Sequence, residues 1–410
     1  MRRREFINLS LLSGSGLILG LQFACKNEKL EKIAGKGDTF QFNPFLEITD
    51  NNKIVIYAPV PEIGQGVRTS LPMILADELD ADWSQIIVKQ AEVNDDYGNM
   101  AASGSTSVLK FYDPLRRAGA TAKYMLISAA AEKWNVSNDK LSTKNSYVVN
   151  DDTGENISYS ELAKEAAKNS FPENVQLKKT TEFHTIGRDK IGVDLLDIVT
   201  GTAVYGIDAL VENMKYVAIE RCPVRGGKLV SFDAERALSI KGVNDVIEIQ
   251  HFIPNAYAEV LPGVAIIADS TDAALQGKKM LRVNWYYGKN TQDNDDYFRS
   301  QFLESKVKTW EGELRKTPNF DSEIKTDDTL IEFEYELPFL AHYCMEPMNF
   351  TARYSDSSCL LIGPNQHPQL IQALVERDFD IPKENIRVVS TLSGGGFGRR
   401  LCADYAVEAL

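Results

Sequence analysis

Apolar and polar positions alternate with a two-residue period over 53–60 and again over 85–93, the pattern of half-buried strands. Between them, 71–79 has helical spacing. Thr69 or Ser70 is placed to cap that helix, and Pro72 falls in its first turn, where a missing N–H is tolerated. A longer helix is predicted from Asp113 as cap and Pro114 as first residue to about Trp134. Its apolar residues Leu115, Ala118, Ala122, Met125, Leu126 and Ala129 share one side and should face a core. A further helix over 158–168 follows the Asp152-Thr153-Gly154 turn. Strand patterns recur over 216–221, 243–249, 263–268 and 281–286, with a helix over 270–279, which is the alternation of an α+β domain. The charged stretch 291–328 reads as a linker with a helical piece near 297–314. Strands are then expected over 329–336, 360–362 and 386–391, a helix over 369–379, and another beginning at Cys402 and still running at Leu410.

The 410 residues are enough to bury a sizeable core in about two to four domains. The expected division is 1–25 leader, 26–40 tether, 41–180 first α/β segment, 181–290 small α/β domain, 291–328 linker and 329–410 last domain. A hydrophobic content of 43% and a charged content of 25% are ordinary for a globular chain. The formal net charge of −13 argues against a nucleic-acid partner, whose phosphates it would repel. The five cysteines, Cys25, Cys222, Cys344, Cys359 and Cys402, form no close cluster, so no iron–sulfur centre is expected. The four histidines, His184, His251, His342 and His367, are scattered without metal-ligand spacing.

Arg2, Arg3 and Arg4 precede Phe6 and a glycine-softened apolar run over 9–24, a pattern resembling a twin-arginine export signal. The run is short for a membrane span, which needs about 20 residues. Gln22 and Phe23 fit a lipidation motif poorly, so an anchor on Cys25 is not the expectation.

The chemistry concentrates near the end of the chain. Ser393-Gly394-Gly395-Gly396-Phe397-Gly398-Arg399-Arg400 follows a strand pattern and precedes a helix pattern. Glycines let backbone approach a ligand, N–H groups opening a helix favour an anion, and two arginines add positive charge suited to phosphate. No P-loop spacing is present. Ile63-Gly64-Gln65-Gly66 places a second glycine loop before a helix, a second candidate anion site. Ala101-Ala102-Ser103-Gly104-Ser105-Thr106-Ser107 is a small-residue loop rich in donors. Alone, Gly-Gln-Gly is a weak signal and usually just a turn, and the small-residue loop reads equally well as a flexible loop.

With His342-Tyr343-Cys344-Met345-Glu346-Pro347-Met348-Asn349 and Gly363-Pro364-Asn365-Gln366-His367-Pro368 added, the set resembles the molybdopterin-binding subunit of the xanthine dehydrogenase/aldehyde oxidase family. The nearest branch is that of the isoquinoline 1-oxidoreductase large (beta) subunit. The resemblance implies a multi-domain α+β fold in which 181–290 is an α/β hammerhead domain. It implies a molybdenum held by a pterin, in the cytosine dinucleotide form, and not by protein side chains. Gly64, Gln65, Gly66, Ser105, Gln366, Gly395, Gly396, Phe397, Gly398, Arg399 and Arg400 would then bind the cofactor. The Gln366 side chain and the Phe397 backbone N–H would donate to an oxo ligand of the metal, since a neutral donor stabilises that charge without ligating. Glu346 would brace the site or touch substrate. Leu401 stands where purine-oxidising members carry a substrate-orienting glutamate, which favours an aldehyde or an N-heteroaromatic compound.

The same resemblance implies a second large region that carries a general-base glutamate, and it places that glutamate beyond Leu410. No glutamate within 1–410 matches the role, so no catalytic residue is assigned, and the sequence reads as the N-terminal part of such a subunit. The expected function is hydroxylation of an aldehyde or N-heterocycle with oxygen from water. Electrons would pass to an iron–sulfur subunit or a cytochrome, and a second chain would supply the base. The alternatives are a non-catalytic remnant that binds cofactor and, ranked last, a periplasmic solute-binding protein.

Overall fold

The computed structural model describes residues 39–410 apart from 173, 251–258, 307, 309–311, 313, 314, 316–318, 326–328, 330 and 356. The arginine-led leader with Cys25 lies outside the described residues. The described residues fall into two units, one of residues 39–214, 259, 260 and 343–410, the other of 215–250 and 261–342.

The first unit opens with a four-stranded sheet of β1 (Thr39–Asn43), β2 (Leu46–Thr49), β3 (Ile54–Ala58) and β4 (Ile86–Gln90), in that order. Its pairs are antiparallel except β3 and β4, which run parallel with Ile54 opposite Ile86. A parallel pair needs a crossover, and α1 (Val67–Glu78) provides it. Against α1 packs α2 (Ser107–Trp134), and a Cβ at Gly119 would lie 2.5 Å from the Leu75 carbonyl, so only glycine allows that approach. Leu46, Ile48, Ile54, Ile56, Leu71, Leu75, Leu115 and Leu126 are fully buried between these layers.

Both helices start earlier than capping signals predict. α1 begins at Val67 behind Gly66, with no cap from Thr69 or Ser70 and Pro72 in its interior. α2 begins at Ser107, leaving Asp113 and Pro114 inside it. The reason for α2 is Phe111, which is 3% exposed and meets the Phe45 ring edge-on at 6.4 Å. That burial outweighs the local preference for a stop at Pro114. A small antiparallel sheet of β5 (Leu141–Lys144), β6 (Tyr147–Asn150) and β7 (Asn156–Ser158) follows, then α3 (Tyr159–Ala166), where Ser158 and Glu161 form a reciprocal capping box.

Residues 181–214 group with the first unit. A buried carboxylate explains part of this. Asp77, at the end of α1, accepts from the backbone N–H groups of His184 (3.1 Å), Thr185 (2.8 Å) and Ile186 (2.7 Å) and from Lys178 Nζ (3.0 Å). Lys178 also bonds Asp80 at 2.5 Å, and Lys123 reaches Asp80 at 2.6 Å. The segment then forms α4 (Leu195–Thr200), in which no residue is buried.

The second unit has an antiparallel sheet ordered β10 (Val243–Ile249), β11 (Gly263–Ala268), β8 (Tyr216–Arg221), and a two-stranded ribbon of β12 (Arg282–Tyr286) with β9 (Lys228–Asp233). Helix α5 (Thr271–Met280), capped by Ser270, packs on β8 and β11. α6 (Asp295–Lys306) supplies the helical piece expected in the linker. The expected strand over 329–336 does not form. Among its described residues Ile331, Phe333 and Tyr335 are at least 70% exposed and join no ladder. Alternation alone does not make a strand without a partner.

The chain returns to the first unit with β13 (Thr351–Ser355), β14 (Ser358–Gly363), α7 (Pro368–Phe379) and β15 (Ile386–Ser390). β13 pairs antiparallel with β14, and β14 pairs parallel with β15, Gly363 opposite Ser390. The helix expected from Cys402 is reduced to a 3-10 turn at Arg399–Leu401 and the four-residue α8 (Asp404–Val407). It does not run on to Leu410. That residue is half-buried past the end of α8, where its N–H turns back to the Val407 carbonyl at 3.2 Å. The fold class is α+β, and no helix among the described residues is long and apolar enough to cross a membrane.

Burial opposes the charge on Asp77 and Asp80, but the backbone donors on Asp77 and the lysines on both outweigh it, holding both carboxyls below their ordinary value of 3.8. A depressed folded pKa means that this stability is complete above 3.8 and is lost as pH falls through the lower folded values. Asp77→Ala leaves three backbone donors without their acceptor, while Lys178 keeps Asp80, and should cost about 1–3 kcal/mol. The check is amide hydrogen exchange, in which His184, Thr185 and Ile186 should lose protection ahead of the β3–β4 core.

Candidate functional site

Two crossover units, β3–α1–β4 and β14–α7–β15, supply the walls of one recess of about 390 Å³. Ile63, Gly64 and Gln65 come from the segment after β3, and residues 102–105 with Ser107 from the segment after β4. Gln366 follows β14, and Gly396, Phe397 and Gly398 follow β15. All four stretches leave the carboxyl ends of strands in parallel pairs, the end at which α/β units leave backbone donors free for ligands.

Gln366 sits at the centre and is 3% exposed. Its Nε2 donates to the Ala102 carbonyl at 2.7 Å, and its Oε1 accepts from the Gly398 N–H at 3.0 Å. Its backbone N–H donates to the Arg400 carbonyl (2.9 Å), and its carbonyl accepts from the Ala102 N–H (2.8 Å). One residue thus ties together the segments after β4, β14 and β15. The closeness needs glycine at 396, where a Cβ would fall 2.6 Å from Gln366 Oε1.

The Gly-rich loop is held from behind by Glu346, which is 7% exposed. Oε2 accepts from the Gly394 N–H (2.9 Å) and from Arg400 Nη2 (3.3 Å), and Oε1 from the Ile207 N–H (3.1 Å) and Asn349 Nδ2 (3.0 Å). A Cβ at Gly394 would stand 2.4 Å from Glu346 Cβ. The carboxylate is spent on bracing and does not line the recess.

The arginines are likewise engaged inside the protein. Arg400 is 1% exposed and donates to the carbonyls of Gly395 and Glu346, both at 2.8 Å. Arg399 makes a two-pronged pair with Asp404 at 2.7 and 2.8 Å. Gly66, Gly395 and Leu401 are near in sequence to lining residues but are not among them. Leu410, beyond which the family resemblance puts the base glutamate, does not line the recess either, and no glutamate does. The Gly64–Gly66 loop has its own internal anion. Glu62 Oε1 accepts from the Gly64 and Gly66 N–H groups, both at 2.9 Å, and Oε2 from the Arg68 N–H at 3.0 Å. Glu62 escaped the sequence reading. Its signal was an acidic residue two positions before a Gly-x-Gly loop.

No lining residue carries a charge. The N–H groups of Gly396 and Phe397 take no partner among the described residues. Phe397 (φ 50°, 66% exposed) and Ser105 (φ 55°) both hold the left-handed conformation, which costs about 1–3 kcal/mol for a non-glycine residue and clusters at binding sites. Beside the recess, Lys110 donates to the Ala101 carbonyl at 2.8 Å, and burial lowers its pKa. Burial, with a smaller contribution from Lys110, lowers that of His367, which is therefore neutral at pH 7.

Residues 20–206 and 303–410 each match a family model described as a molybdopterin cofactor-binding domain. The chain belongs to the molybdopterin-binding subunits of the xanthine dehydrogenase/aldehyde oxidase family. It is 29% identical to a protein named membrane-bound aldehyde dehydrogenase [pyrroloquinoline-quinone] from Gluconacetobacter polyoxogenes, over all of this chain and 53% of that one. It is 28% identical to isoquinoline 1-oxidoreductase subunit beta of Brevundimonas diminuta, over 92% of this chain and 54% of the other. Quinoline 2-oxidoreductase from Pseudomonas putida 86 aligns at TM-score 0.36 and 16% identity, over 51% of this chain and 30% of that one. The chain spans about half the length of the curated relatives it matches.

The residues present fit a molybdopterin. An oxo-bearing metal held by a pterin asks its protein for neutral donors and close backbone, and a glycine-walled, uncharged recess with free N–H groups offers both. Glu346→Ala should destabilise the first unit by about 3–5 kcal/mol, because Arg400 would remain buried without its counter-charge. Denaturant unfolding followed at Tyr405, whose hydroxyl bonds the Pro364 carbonyl at 2.6 Å beside this pair, checks it.

Proposed function

We propose that this chain is the molybdopterin-binding part of an oxidoreductase that hydroxylates an aldehyde or N-heteroaromatic substrate with oxygen from water. The observation that carries the proposal is the uncharged recess gathered around Gln366. Bound there, the cofactor would supply the two-electron redox centre. The protein's share is to hold it. Gln366, already oriented by Ala102 and Gly398, keeps a second amide hydrogen for an oxo group, and the N–H groups of Gly396 and Phe397 are free to do the same. Gly64, Gln65 and Ser105 would wall the pterin.

The quinone in the first relative's name is not carried over. Pyrroloquinoline quinone is a tricarboxylate and calls for cations, which no lining residue provides. An aldehyde or N-heterocycle is favoured by the names of the two relatives and by Leu401, apolar at a position where purine oxidisers orient substrate with a glutamate. The remaining parts of the proposal are a cytosine dinucleotide form of the pterin and a hammerhead role for the second unit. To these we add a base glutamate from polypeptide matching the rest of the relatives' length, past the position of Leu410. Electron transfer to an iron–sulfur subunit or cytochrome and twin-arginine export to the periplasm complete it.

Expression in a cofactor-producing host should yield protein with near-stoichiometric molybdenum by mass spectrometry and pterin by fluorescence. Gln366→Ala should reduce molybdenum at least about tenfold, the scale of lost support around a metal centre. Turnover in ¹⁸O-labelled water should place the label in product. Wild-type protein free of molybdenum and pterin would remove the basis of the proposal.

A further inference from the structure

The Gly64–Gly66 loop has the look of a phosphate cradle, yet its donors are already taken. Gly64 (φ 99°) and Gly66 (φ 79°) bend the backbone so that two N–H groups, with that of Arg68, converge on one point, and the carboxylate of Glu62 fills it. Glu62 is 8% exposed, so these bonds form away from competing water. A Cβ at either glycine would meet nothing within 4 Å. These glycines therefore serve conformation, not the close approach of a ligand, in contrast to Gly396. Glu62 also reaches the other glycine loop, because its carbonyl accepts from the Ser393 N–H at 3.2 Å. Ile63, Gly64 and Gln65, which follow it directly, line the recess.

We propose that Glu62 is the resident anion of this loop and the positioning residue for that wall of the recess. Its carboxylate closes the nest to phosphate, so the recess takes the oxo-bearing end of the cofactor while the cofactor's phosphates bind elsewhere. This rests on the molybdopterin reading above only for the identity of the ligand; the closure of the nest stands without it. Glu62→Ala opens the nest. Glu62→Gln keeps the shape but replaces one of the two accepting oxygens with an NH2 that faces a backbone N–H.

The experiment uses the full chain in three forms, with melting followed in formate and in inorganic pyrophosphate, and molybdenum content measured after expression in a cofactor-producing host. Wild-type melting should not respond to pyrophosphate. Glu62→Ala should melt lower and recover saturably with formate, a small carboxylate that can replace the missing group. Glu62→Gln should stay folded yet carry at least about tenfold less molybdenum. Pyrophosphate stabilisation of the wild type that Glu62→Ala abolishes would overturn the proposal by making the loop a phosphate site. Full molybdenum loading of Glu62→Gln, or a Glu62→Ala protein indifferent to formate, would overturn it too. Should Glu62→Ala not fold, the Gln variant's loading and the wild type's pyrophosphate response decide. A wild type without molybdenum would instead count against the molybdopterin reading, leaving the formate and pyrophosphate responses to decide the role of Glu62.

Discussion

The amide of Gln366 is the constraint on which the site depends. Ala102 and Gln366 are separated by 264 residues, yet the Ala102 backbone bonds both the carbonyl and the side-chain amide of Gln366, and the oxygen of that amide receives the Gly398 N–H. Without those bonds the loops after β4, β14 and β15 would be independent connections on the surface. With them, the carboxyl ends of two parallel strand pairs are brought to a common point. The sheets can supply that geometry only because each parallel pair forces a helical crossover, α1 in one case and α7 in the other, which leaves the loops at one end of the strands.

Charge is kept behind this surface. Glu346 and Arg400 form a buried pair beneath the Gly-rich loop, and Glu62 fills the loop after β3. A buried ion pair is a weak source of net stability, because desolvation offsets most of the attraction. What it does supply is direction. Each carboxylate accepts from backbone N–H groups that would otherwise point in uncertain directions, and it fixes glycine backbone in or beside the recess wall. Flexible residues are thereby held in one conformation without a side chain of their own. The strain at Phe397 and Ser105 is sustained by the same framework.

Much of the scaffold was legible in the sequence. The strands of the second unit and those around Gln366 were expected from period and apolar content, and Ser158 marked its helix start. The misses share a cause. α1 and α2 start where burial and internal hydrogen bonds take over from side-chain caps, as Phe111 shows. The segment over 329–336 has a strand's alternation but no partner among the described residues. A period reports which face an element could bury, and it says nothing of what lies opposite. The arginines after the Gly-rich loop looked like phosphate ligands by charge, yet Asp404 and Glu346 claim them. Only the fold brings Glu346 to Arg400 across the intervening strands.

That last point bears on how glycine loops are to be read. Converging N–H groups show that an anion belongs there, but not whose anion it is. In this chain both glycine loops meet a carboxylate of the protein itself, so the positive ends of the backbone are neutralised internally and the open face is left with uncharged donors. An uncharged donor surface discriminates by distance and angle more than by charge. On the proposed reading it would hold an oxo group on a metal firmly while offering little to a free phosphate, and that selectivity would follow from two glutamates that do not line the recess.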